Sequence, residues 1–161
     1  MYAFECSLHA PPDSDAPASG EPLTDSCGQW PTLLIAQDQL STPLSIGFDD
    51  VLNQLGNLPR LYAEPDGSFV WTSPQENTRW QVNGNLYERN DRVLFVEIKG
   101  SCPASEFDQL LAYFLSDEKA CVVQLTRPAV FVTVEVFRAH AGARGQAGDG
   151  ASLLPPETCG W

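Results

Sequence analysis

The chain has 161 residues, 43% of them hydrophobic and 10% aromatic, with a formal net charge of −12. That size and composition fit one domain with a real core and spare length for tails. The acidity counts against a free-standing nucleic-acid binder, because a phosphate backbone would be repelled and no basic stripe is visible.

Met1 to Leu8 reads as a short strand, with Tyr2, Phe4, Cys6 and Leu8 on one face. Residues 9–29 are rich in Pro, Ser, Asp, Ala and Gly and read as loop or flexible chain. Residues 1–43 hold six acids and no Lys or Arg, so this end is strongly acidic. Trp30 to Ala36 is a short apolar strand, and Pro31 near its start suits an edge position. Apolar residues at 48, 51, 52, 55 and 58 have helical spacing. Asp49 and Asp50 suit the first turn of that helix, and Gly56 and Pro59 end it near 57.

Arg60–Glu64 and Ser68–Thr72 are β-prone runs joined by the turn Pro65-Asp66-Gly67. A hairpin follows over residues 79–99. Pro103 to Leu115 is a second helix, with Ser101 as a candidate N-cap and Phe107, Leu110, Leu111 and Phe114 on one face. Lys119–Thr126 and Ala129–Phe137 are two further strands about Arg127-Pro128. From residue 139 to 161 the composition predicts a flexible tail. The expected layout is therefore an N-terminal strand and acidic flexible segment (1–29), an α+β domain (30–138) and a tail (139–161). The domain would hold a mostly antiparallel sheet of about five to seven strands with two main helices packed on it. Its core would contain Leu34, Val51, Leu52, Leu55, Val70, Phe95, Val96, Phe107, Leu110, Leu111, Val122, Val123, Val132 and Val134. Tyr62, Trp71, Trp80 and Tyr87 read as half-buried sheet aromatics.

One constellation suggests chemistry. In Glu97-Ile98-Lys99 a carboxylate and an ammonium two residues apart share a strand face, at the end of the apolar run Val93-Leu94-Phe95-Val96. Their neighbours depend on the hairpin register. A two-residue loop, Asn90-Asp91, pairs Gly84 with Glu97 and Val82 with Lys99. A three-residue loop, Arg89-Asn90-Asp91, pairs Asn83 with Glu97 and Gln81 with Lys99. One residue of slip reverses every side chain.

The five cysteines (Cys6, Cys27, Cys102, Cys121, Cys159) include no CxxC pair, and the two histidines, His9 and His140, fall outside the expected core. Structural zinc is disfavoured, and reduced thiols in a cytoplasm are the default. No basic start precedes an h-region, and the longest apolar runs fall far short of about 20 residues, so neither a signal peptide nor a membrane-spanning helix is expected.

Helix, hairpin, a strand ending in E-x-K, then helix and strand resembles the core of the PD-(D/E)-x-K nuclease superfamily over residues 47–126. By that resemblance Glu97 helps hold a divalent metal, Mg²⁺, and Lys99 positions or activates the attacking water. The family's acid aligns with Asn83, which offers a neutral carbonyl oxygen instead. Asp66 or Glu64 would have to replace it, or the site is degenerate. The sequence thus supports a small acidic cytoplasmic domain acting as a non-catalytic interaction or accessory protein, without a cofactor and with a basic protein partner suggested by charge. The alternative is a metal-dependent phosphodiesterase with Glu97, Lys99 and Asn83 in the site and Glu97 and Asp66 on the metal.

Overall fold

In the computed structural model, residues 1–12, 16–74, 79–115 and 121–147 are described. Strict alternation in the first strand, β1 (Tyr2–His9), sets up a sheet with two unlike faces. Phe4, Cys6 and Leu8 point one way and Glu5, Ser7 and His9 the other. Ten more strands follow in chain order: β2 (Ala18–Ser19), β3 (Leu23–Asp25), β4 (Gly28–Trp30), β5 (Leu33–Leu34), β6 (Leu61–Ala63), β7 (Ser68–Thr72), β8 (Gln81–Arg89), β9 (Arg92–Cys102), β10 (Val122–Leu125) and β11 (Val130–Val132). Among the described residues the α-helices are α1 (Phe48–Leu55), α2 (Ala104–Phe114) and α3 (Val134–Ala147), and a 3₁₀ turn covers Gln37–Gln39.

Nine strands form one sheet in the order β2-β5-β11-β10-β1-β9-β8-β7-β6, and β3 and β4 pair separately. Every pairing is antiparallel. The α+β class is as the sequence implies, but among the described residues the nine strands of the main sheet and the three α-helices exceed the expected five to seven strands and two helices. The N-terminal strand is no appendage: β1 sits mid-sheet between β9 and β10, and α2 carries the chain across it.

The helices cover the apolar face. Phe4 meets Phe107 of α2 and Phe137 of α3 edge-on, at 5.5 and 6.1 Å between ring centroids. Arg138 of α3 pairs with Asp108 of α2 above this layer. On the same face Phe69 lies over Gly84 so closely that a Cβ there would sit 2.0 Å from its ring. Only glycine fits opposite that phenyl group.

Several expectations are corrected. Residues 129–137 do not form one strand: β11 ends at Val132, and Thr133 opens α3, accepting the Val136 N–H on its Oγ1 and the Phe137 N–H on its carbonyl. Residues 139–147 are helix rather than flexible tail, with His140, Ala141 and Arg144 buried; residues 148–161 lie outside the described residues. Residues 9–29 contain β2, β3 and the start of β4, and the expected strand 30–36 is divided between the end of β4 and β5. Ser101 is a buried strand residue, and α2 is capped at Pro103. Leu34, expected in the core, is 68% exposed on the two-residue strand β5, and Leu52, Val70 and Phe95 are half-buried. Both histidines, placed outside the core by sequence, are buried, and so are Trp71 and Trp80. Cys27 is disulfide-bonded, against the reduced-thiol default, whereas Cys6, Cys102 and Cys121 are buried thiols outside any disulfide. Among the described residues no helix is long and apolar enough to cross a membrane.

Candidate functional site

The hairpin β8–β9 turns through Asn90 and Asp91, both at positive φ (53° and 64°), the backbone that a two-residue hairpin loop requires. Arg89 pairs with Arg92 and Glu88 with Val93, but Tyr87 pairs with Phe95, so Leu94 is an extra residue in β9. This bulge changes the register. Beyond it Asn85 faces Glu97 and Asn83 faces Lys99. Neither simple register is observed. The loop is the two-residue one, while the side chains fall on the faces that the three-residue loop would give.

Glu97, Lys99, Asn83 and Asn85 therefore share the face turned away from the helices. The neighbouring strand supplies what the sequence could not place: Glu5 of β1 lies opposite Lys99, and Ser7 opposite Glu97. Lys99 Nζ is 3.9 Å from Glu5 Oε1, and Arg127 Nε is 3.2 Å from Glu5 Oε2. The second contact is an ion pair without the alignment of a hydrogen bond, since Glu5 Oε2 has no hydrogen-bond partner. Gln81 Nε2 donates to Asn83 Oδ1 at 2.8 Å. The Tyr87 hydroxyl is hydrogen-bonded to Glu97, and that carboxylate raises the phenol above its ordinary pKa.

A shallow depression of about 260 Å³ is lined by Glu5, Asn83, Asn85, Glu97, Lys99 and Thr126. A second, of about 310 Å³, meets it at Glu97 and Thr126 and runs past Ser7, His9 and Gln124. At its base His9 Nε2 is 2.7 Å from Ser7 Oγ. The His9 ring is stacked on Phe95, with Phe131 edge-on, and Phe95 is stacked in turn on Tyr87. Burial pushes His9 down to about 4, so the imidazole is neutral at pH 7.

The other sequence candidates lie differently. Asp66 keeps to its turn, where Oδ1 accepts from the Ser68 N–H at 2.9 Å and the Ser68 hydroxyl at 2.6 Å. Glu64 precedes that turn, and its carbonyl accepts the Gly67 N–H. Among the described residues no group of three or more His, Cys, Asp or Glu side chains is placed to hold a metal ion. Cys102 is buried against the helical layer, and burial raises its thiol well above the ordinary range.

Away from this face, Asp25 of β3 bonds His140 of α3 at 2.8 Å and accepts from Trp30 Nε1 at 3.1 Å. Burial would raise the Asp25 carboxyl, but these bonds and the Cys27 N–H hold it below its usual value. Burial also keeps His140 below the ordinary imidazole range despite its carboxylate partner. The pair fastens the β3–β4 ribbon to α3. The alternation in β1 was the readable signal for Glu5, Ser7 and His9; which strands would flank them was not.

Comparison with protein-family models, with curated proteins and with solved structures gives no match, so none of the three identifies a superfamily.

Proposed function

We propose that this chain is a non-catalytic interaction domain and that the sheet face opposite α1, α2 and α3 is the binding surface. The observation that carries this reading is the mutual engagement of the charged groups around E-x-K. Glu5 lies between Lys99 and Arg127, Glu97 takes the Tyr87 hydroxyl, and Asp66 is held in its own turn. A Mg²⁺ site needs carboxylate oxygens free to replace water in an octahedral shell. Here Glu5, the neighbouring acid on the face, is held by two cations, and the position aligned with the family's acid is Asn83. The nuclease reading keeps one specific support, the shared face of Glu97 and Lys99. A basic protein partner rests on the net charge of −12 of the whole chain and is not assigned to this face, where Lys99 and Arg127 are exposed. The test is incubation of the full chain with single- and double-stranded DNA and RNA in Mg²⁺ or Mn²⁺. Intact substrate is expected throughout; metal-dependent cleavage abolished by Glu97→Ala overturns the reading.

A further inference from the structure

The chemistry of the open face narrows what it would bind. Pairing across the sheet sets Tyr62, Val70, Asn83, Lys99 and Glu5 in one row, on β6, β7, β8, β9 and β1. The adjacent row on the same face runs Ser68, Asn85, Glu97, Ser7 and Gln124. Among the described residues four large apolar side chains are exposed, and two of them, Tyr62 (70%) and Tyr87 (36%), stand on this face. Strand spacing and rise put their Cα atoms about 16 Å apart, with the amides and hydroxyls of the two rows between them.

Charge excludes most ligand classes. Glu5 and Glu97 are balanced by Lys99 and Arg127, so the face is locally neutral on a strongly acidic protein. An anionic ligand approaches against the field of the whole molecule. A cationic one meets the Lys99 ammonium, 40% exposed, and the Arg127 guanidinium, 53% exposed. An extended peptide that binds by adding a strand needs a free sheet edge, and β8, β9 and β1, which carry this face, each have a strand on both sides. Side-chain amides both donate and accept, which matches the hydroxyl groups of a neutral polyol. Tyrosine rings offer flat apolar area at low entropic cost, which suits the C–H faces of sugar rings.

We propose that the open face binds an extended, uncharged oligosaccharide, seated on Tyr62 and Tyr87 and hydrogen-bonded by Asn83, Asn85, Glu97 and Lys99. The proposal rests on the reading of this face as an interaction surface. Tyr87 has one ring face on Phe95 and its hydroxyl on Glu97, so the group that would stack the sugar is already oriented before the ligand arrives.

The test is calorimetric titration of the full chain with maltohexaose, cellohexaose, xylohexaose and mannohexaose, alongside the cleavage assay above. Saturable binding by at least one of the four with Kd below about 1 mM is expected. Tyr62→Ala and Asn83→Ala should each weaken that binding about tenfold or more. Tyr62 is so exposed that its replacement leaves the fold intact, which unfolding in urea checks. Absence of saturable heat from all four sugars overturns the proposal. So does binding that both variants leave unchanged. If the sugars fail and no cleavage is seen, the oligosaccharide falls while the interaction reading stands. If metal-dependent, Glu97-dependent cleavage is seen, both fall.

Discussion

The two faces of the nine-stranded sheet are built from the same strands, one residue out of phase, yet they do different physical work. One face puts Phe4, Phe69, Trp71, Val82, Val96 and Ile98 against the helical layer, all at or below 3% exposure. The other carries Asn83, Asn85, Glu97, Lys99 and Glu5 on the side away from α1, α2 and α3, bordered by the short 3₁₀ turn Gln37–Gln39 and Leu40. The first gains its stability from apolar area removed from water. On the second, half-exposed ion pairs contribute little to stability. The contrast teaches that the conspicuous charges of this chain are not what holds it together, which leaves them available for binding.

Substitutions can break or sharpen the contrast. The largest effect is expected at Phe107, whose ring touches Phe4, Phe137 and Tyr2. Phe107→Ala should cost about 3–5 kcal/mol in urea unfolding, and a loss below about 1 kcal/mol would mean that the helical layer is not the core.

Next comes acid. His9 is neutral in the folded protein down to about pH 4, whereas an unfolded histidine protonates near 6.5. The unfolded state therefore binds the extra proton, and stability falls as pH drops from about 6.5 to 4, by roughly 3 kcal/mol from this group. His140 is lowered in the same direction. His9→Phe should flatten the fall over that window, at the expense of the Ser7 partner; an unchanged pH profile would contradict the buried, neutral placement of His9.

Gly84→Ala drives a methyl group into the Phe69 ring, and about 1–3 kcal/mol should be lost. The smallest effect belongs to the open face. Lys99→Ala removes a contact of 3.9 Å from a side chain 40% exposed, and thermal unfolding should register less than about 1 kcal/mol. A larger loss would make the polar face part of the structural core.

Much of the helical face was legible in sequence. The spacing of Phe107, Leu110, Leu111 and Phe114 and the alternation of Tyr2, Phe4, Cys6 and Leu8 mark it directly. The end of β11 was not legible, because Val130, Val132, Val134 and Val136 continue a β-branched alternation straight into α3. The helical signal there is Phe137, Ala141 and Arg144 at intervals of four and three, with Thr133 as cap. It was hidden by Gly142 and Gly145, which lower helix propensity. Gly145 has a reason in packing: a Cβ there would fall 1.9 Å from the Met1 carbonyl oxygen, so glycine lets α3 approach the start of β1. For the site, the shared face of Glu97 and Lys99 followed from their spacing. Which residues face them depended on one bulge at Leu94 and on β1 entering mid-sheet. A bulge leaves no periodic mark, and strand order is set by long-range packing that local pattern does not encode.

The central claim is that the E-x-K face is a binding surface and not a metal centre. Titration of Mg²⁺ into the full chain, followed by calorimetry on the wild type and on Glu97→Ala, tests it most directly. The account predicts heats of dilution only, identical for the two proteins. Saturable binding to the wild type that Glu97→Ala abolishes would contradict it.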